Sequence, residues 1–242
     1  MNFHMEGWGV FGLRKAAALF SLILAALALS ASLAFAHNVT PGDAGYIQEI
    51  WGVNLIPFTY LGAKHMVTGY DHILFLLGVV FFLYKMKDVA IYVSLFAVGH
   101  SLTMLAGVWW GWGISAYIID AIIGLSVVYK ALDNLGAYQR WFGFQPNTKA
   151  ATLIFGLFHG TGLATKILEY KISEDGLLAN LLAFNVGVEL GQILALGFIL
   201  IVMGYWRKSK DFFRQAYTAN VVMMSCGFML MGLHITGYFV AT

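Results

Sequence analysis

Residues 61–84 read LGAKHMVTGYDHILFLLGVVFFLY. An apolar run of this length crosses the hydrocarbon core of a bilayer, which takes ~20 residues as a helix. Inside it stand His65, Asp71 and His72. An ionisable side chain at the bilayer centre costs about 2.5–3.5 kcal/mol on insertion scales, so each one needs a partner or a task. In a helix, His65 and His72 fall on nearly one face, two turns apart. Asp71 is offset from His72 by about 100°. It can ligate beside His72 or orient another imidazole from behind. The run therefore predicts a membrane helix carrying a polar site.

The rest of the chain has the same character. Hydrophobic residues make up 60% of the 242 and charged residues 11%, with a mean hydropathy of +0.77. Soluble domains carry about a quarter of their residues as charges. Five further membrane-length apolar runs follow, at residues 89–110, 114–135, 150–168, 177–205 and 216–240. The net charge of +2 and pI near 8.6 are mildly basic. The lysines and arginines sit in short clusters between the apolar runs, a membrane-protein pattern that argues against a nucleic-acid partner. Cys226 is the one cysteine, so an internal disulfide, a CxxC motif and a thiolate metal site are excluded within the chain.

These features predict an all-α, polytopic transmembrane bundle of six helices after a signal peptide. Residues 1–36 have the signal-peptide pattern: Arg14 and Lys15, an apolar core at 16–31, and Ala34-Phe35-Ala36 as cleavage site. Retention as an anchor is the alternative. Residues 37–60 form an extracytoplasmic lead-in and residues 61–242 the six-helix domain. Counting from an outside N-terminus, the inner loops hold Lys85 and Lys87, then Lys130, Arg140 and Lys149, then Arg207, Lys208, Lys210 and Arg214. In the outer loops Lys166 and Lys171 are outnumbered by Glu169, Glu174 and Asp175. The positive-inside rule then predicts a bacterial inner-membrane protein with both mature termini periplasmic. Trp109, Trp110, Trp112 and Trp206 fall at run ends, as interfacial anchors do.

Other runs add polar groups at similar depth. His100 and Thr103 lie in the second, Asp120 in the third, His159 in the fourth, and Asn185, Glu189 and Gln192 in the fifth. At 1.5 Å per residue, His72 is roughly 16 Å from the outer end of its run and His100 roughly 17 Å from the inner end of its own. His159 and Glu189 fall near mid-bilayer by the same count, and His65 and Asp120 nearer the outer face. Asn185, Glu189 and Gln192, at i, i+4 and i+7, predict one polar stripe facing the bundle interior. Each residue alone also has a packing role open to it. His234 reads as a hydrogen-bonded packing residue, Asp120 as one that Ser115 or a histidine satisfies, and Asn185 and Gln192 as ties between helices. Imidazoles with carboxylates and no thiolate suit nickel, cobalt, zinc or copper(II), and suit magnesium or calcium poorly. Nucleophile-elbow, Walker A and H-E-x-x-H motifs are missing from the sequence, and no G-x-G-x-x-G opens a helix after a strand, which argues against a nucleotide cofactor.

The run His65-x-x-x-Gly69-x-Asp71-His72 resembles the H-P-x-x-G-x-D-H signature of the HupE/UreJ family of metal permeases. Gly99-His100-Ser101-Leu102-Thr103, Gly156-Leu157-Phe158-His159-Gly160 and the stretch from Phe184 to Gln192 are similar to that family's later helices, in the same order. The resemblance covers roughly residues 60–205. It implies a permease of six or seven helices taking up nickel or cobalt, associated with hydrogenase, urease or cobalamin biosynthesis. It carries metal roles to His65, Asp71 and His72, and next to His100, His159 and Glu189. By their polarity and depth, Asp120, Asn185, Gln192 and Thr103 are expected to support the ligands or line a path. Met66 stands where the signature has Pro, and Leu76 where it often has Met after the Asp-His pair, as in a divergent branch. The expected partners are a metal ion (nickel, cobalt or zinc) and the bilayer. Two other functions are compatible with the same polar groups. One is a metal-dependent intramembrane hydrolase with Glu189 or Asp71 as general base; the other is an accessory subunit with a structural metal site.

Overall fold

In a computed structural model, residues 48–169 and 174–241 are described. The expected signal peptide and residues 37–47 of the lead-in lie outside them. Among the described residues the fold is all-helical: α1 (Leu55–Thr68), α2 (Tyr70–Val80), α3 (Met86–Trp110), α4 (Ala116–Asn134), α5 (Ala137–Phe142), α6 (Thr148–Leu168), α7 (Leu177–Trp206) and α8 (Phe212–Ala241). Four of them, α3, α6, α7 and α8, are long and apolar enough to cross a membrane by length and composition.

The first run departs from the single helix predicted for residues 61–84. It is broken at Gly69, whose backbone is extended (φ −73°, ψ 102°), into α1 and the eleven-residue α2. Gly69 N–H still donates to the His65 carbonyl at 2.9 Å, closing the last turn of α1. Without a Cβ, Gly69 lets the chain turn tightly here: a Cβ would stand 2.7 Å from Nδ1 of His72. α4 also differs from the long apolar helices, because it carries Asp120, Lys130 and Asp133, all buried.

Three helix pairs build the body: α3 on α6, α1 on α7, and α4 on α8. Glycines let the backbones touch. Thr59 faces Gly187 and Ala63 faces Gly191, so α1 and α7 run in the same direction. Phe96 faces Gly156 and Ala164 faces Gly107, so α3 and α6 are also parallel. Gly124 meets Met231 and Val128 meets Gly227, so α4 and α8 are antiparallel. Small residues at such contacts are how membrane helices gain packing where lipid supplies no hydrophobic drive.

The short α2 touches α1, α3, α4, α7 and α8. Its Phe75, Leu76, Val79 and Val80 are buried, as expected of a helix that is apolar all round. The C-terminal end of α2 leaves carbonyls without intrahelical partners. Asn134 Nδ2 donates to the Gly78 carbonyl at 2.9 Å. Arg207 Nη2 donates to the carbonyls of Val80 at 2.5 Å and Phe81 at 3.0 Å. The outward surface is apolar, with Val98, Leu102, Ile193, Phe198 and Ile201 exposed. Trp109 and Trp110 are exposed at the end of α3.

Candidate metal centre

The break at Gly69 sets the geometry of the site. His65 lies in the last turn of α1, while Asp71 and His72 lie in the first turn of α2. The break leaves the first N–H groups of α2 and the last carbonyls of α1 beside these side chains. A carboxylate in the first turn is also favoured by the positive end of the helix dipole. His100 reaches the same zone from α3 and His159 from α6.

The rings form one cluster. Centroid separations are 5.0 Å for His65–His72, 5.8 Å for His72–His100, 6.5 Å for His65–His100 and 5.0 Å for His72–His159. One ring nitrogen from each of His65, His72 and His100 lies within 4.8 Å of the others. Donors around one zinc-like ion, with bonds of ~2.0–2.1 Å, stand about 3.3 Å apart. The three imidazoles must therefore draw in by up to about 1.5 Å to share an ion. His72, His100 and His159 are fully buried and His65 half-buried.

The surrounding groups orient the rings. His72 Nδ1 lies 3.1 Å from Asp71 Oδ1; an ionised carboxylate only accepts, so Nδ1–H donates and Nε2 carries the lone pair. His159 Nδ1 lies 2.7 Å from the Phe155 carbonyl, which fixes its tautomer in the same way. His100 is different: neither ring nitrogen has a hydrogen-bond partner among the described residues. A fully buried imidazole with both nitrogens unbonded is uncommon, because burial without a hydrogen bond is unfavourable. Three imidazoles with a carboxylate behind one of them fit a borderline transition metal, and fit a hard cation poorly.

Phe75, Phe96 and Phe155 form an aromatic floor against this cluster. Phe96 and Phe155 each precede a histidine by one turn, and Phe75 follows His72 by three residues. Phe75 lies 5.3 Å from Phe96 and 5.9 Å from Phe155, and Phe96 lies 4.9 Å from His159. The spacing Phe-x-x-x-His, which recurs in α3 and α6, is the sequence signal for this floor.

The remaining expected residues fall elsewhere. Glu189 is exposed on α7 and stands apart from the cluster, although Asn185 and Gln192 are buried. About the α7 axis, Asn185 and Gln192 sit at the rim of the buried face, and Glu189 lies about 40° beyond Asn185 on the outer side. Gln192 Nε2 donates to the Val93 carbonyl of α3 at 3.4 Å. Neither amide atom of Asn185 has a hydrogen-bond partner among the described residues. The Thr103 hydroxyl lies 2.6 Å from the Leu157 carbonyl and 3.1 Å from the Gly99 carbonyl, tying α3 to α6. Asp120 is held by Lys166, a residue expected in the outer loop and found in the last turn of α6: its Nζ lies 2.9 Å from Asp120 Oδ2. His234 Nδ1 lies 3.7 Å from the same oxygen.

No curated protein and no solved structure matches the chain. A family model described as "HupE / UreJ protein" matches residues 42–242.

Proposed function

The chain belongs to the HupE/UreJ family, and from that premise we propose that it is a secondary permease for a divalent transition metal, nickel or cobalt before zinc. His65, His72 and His100 hold the ion, Asp71 orients His72, and His159 completes the imidazole wall. The observation that carries this proposal is the meeting of three imidazole nitrogens within 4.8 Å, contributed by α1, α2 and α3, at a helix break. Discontinuous helices that end at a mid-membrane site are a recurring device of transporters. They give a binding site polar helix ends and a place to bend.

Six crossings, with both ends outside, belong to the same proposal. The first is the broken pair α1–α2 and the third is α4, whose charges are buried and paired. Strict alternation makes crossings one and five parallel, two and four parallel, and three and six antiparallel. The observed pair directions support this count. The resemblance of the Asp71-His72 run to the family signature supports nickel or cobalt as cargo. A hydrolase would need a carboxylate beside a metal-bound water. Glu189 is exposed on α7 and Asp71 Oδ1 is engaged with His72, which favours the permease over that alternative.

Purified protein reconstituted into vesicles tests the proposal. Nickel or cobalt should accumulate inside the vesicles, and His72→Ala should abolish both uptake and binding. Metal binding without any uptake would instead favour a structural or catalytic centre.

A further inference from the structure

A second ionisable cluster lies at one end of the bundle, outside the histidine centre. Asp120 is one turn into α4, Lys166 is in the last turn of α6, and His234 is in the final third of α8. Positive-inside topology places all three helix ends on the outer side. The side chains are largely buried, at 5% exposure for Asp120, 10% for Lys166 and 18% for His234. One carboxylate oxygen, Oδ2 of Asp120, is approached by both the Lys166 ammonium at 2.9 Å and the His234 imidazole at 3.7 Å. Asp71 of the histidine centre lies within electrostatic reach of Asp120 and His234.

We propose that Asp120 and His234 form an outer transit site for a divalent transition metal, and that the Lys166 ammonium is a tethered cation holding this site until the metal displaces it. An oxygen and a nitrogen donor 3.7 Å apart can share one ion, since bonds of ~2.0–2.2 Å span up to about 4 Å between donors. Lysine suits a displaceable occupant. Its charge is compact and strongly hydrated on a flexible stem, and it binds a carboxylate as a point charge rather than as a fork. Two residues before the end of α6, it can turn its ammonium into outer water while the stem stays in apolar surroundings. His234 makes the site prefer borderline metals to magnesium or calcium. The transit role rests on the permease proposal, whereas metal binding at this site does not.

Lys166→Met keeps the apolar stem and removes the competing charge. It should bind one more zinc or cobalt ion per chain than the wild type, measured by equilibrium dialysis of the full-length protein in detergent. The extra ion should disappear on adding Asp120→Asn, and magnesium should not replace it. Lys166→Arg, which keeps a firmer lock, should show no extra ion. The same comparison in a His72→Ala, His100→Ala background separates the two sites. There the extra ion should persist, whatever becomes of the central one. Lys166→Gln serves as a second variant should Lys166→Met fail to fold, with the same gain expected. An unchanged ion count in the folded Met or Gln variant would overturn the proposal and leave Asp120–Lys166 as a tie between helices. An extra ion that survives Asp120→Asn would overturn it equally.

Discussion

At the scale of the residue, orientation and access decide what each side chain can do. Asp71 contributes by holding Nδ1–H of His72, so Asp71→Asn should leave the fold intact and weaken metal affinity by about 10–100-fold. Titration of purified protein with cobalt, followed by its d–d absorption, reads that loss directly; an unchanged affinity would mean that the pair is only a packing contact. Gly69→Ala should weaken binding too, because a Cβ there would collide with His72 Nδ1. The four histidines were legible in the sequence because depth and cost converge on them: each lies in a membrane-length run, where an idle imidazole is expensive. Glu189 was not legible. An i, i+4, i+7 pattern defines a stripe only to within a few tens of degrees, and α1 meets α7 on the side of Gly187 and Gly191, leaving Glu189 past the rim. Lys166 escaped for another reason. Its charge and position near a run end suit a loop, and only its approach to Asp120 reveals its burial.

At the scale of the element, α2 is the part on which the site depends. It is about 16 Å long, half a bilayer, begins at the candidate ligands and ends on carbonyls capped by Asn134 and Arg207. Arg207→Ala should therefore destabilise the protein by about 1–3 kcal/mol, the usual cost of leaving buried polar groups unsatisfied. Thermal unfolding in detergent measures this, and a wild-type midpoint would mean that the caps are replaceable. Arg207→Lys should recover only part of the loss, since a lysine lacks the guanidinium fork. The break that creates α2 was not visible in hydropathy. A lone glycine within an apolar run is tolerated in a membrane helix, and what distinguishes Gly69 is the His72 imidazole standing where a Cβ would need room. Ends of the other helices followed the apolar runs closely, because lipid-facing and interior residues are both apolar and polarity changes sharply at the interface.

At the scale of the whole molecule, topology and metal linkage can be measured separately. A reporter active only in the cytoplasm, fused at Arg140 or Lys210, should be active; fused after Thr242 it should be silent. An active C-terminal fusion would refute six crossings with both ends outside. The central claim is that His65, His72 and His100 hold one transition metal in a single centre that His159 completes. Its most direct test is metal stoichiometry and affinity across His65→Ala, His72→Ala, His100→Ala, His159→Ala and the pairwise combinations, with His234→Ala as the control outside the centre. Groups acting as a unit lose their effect together. His72→Ala should therefore remove most nickel or cobalt binding, the second substitution should add little, and His234→Ala should leave the central ion in place. Full binding in the His72→Ala protein, or independent partial losses at each position, would contradict a single centre.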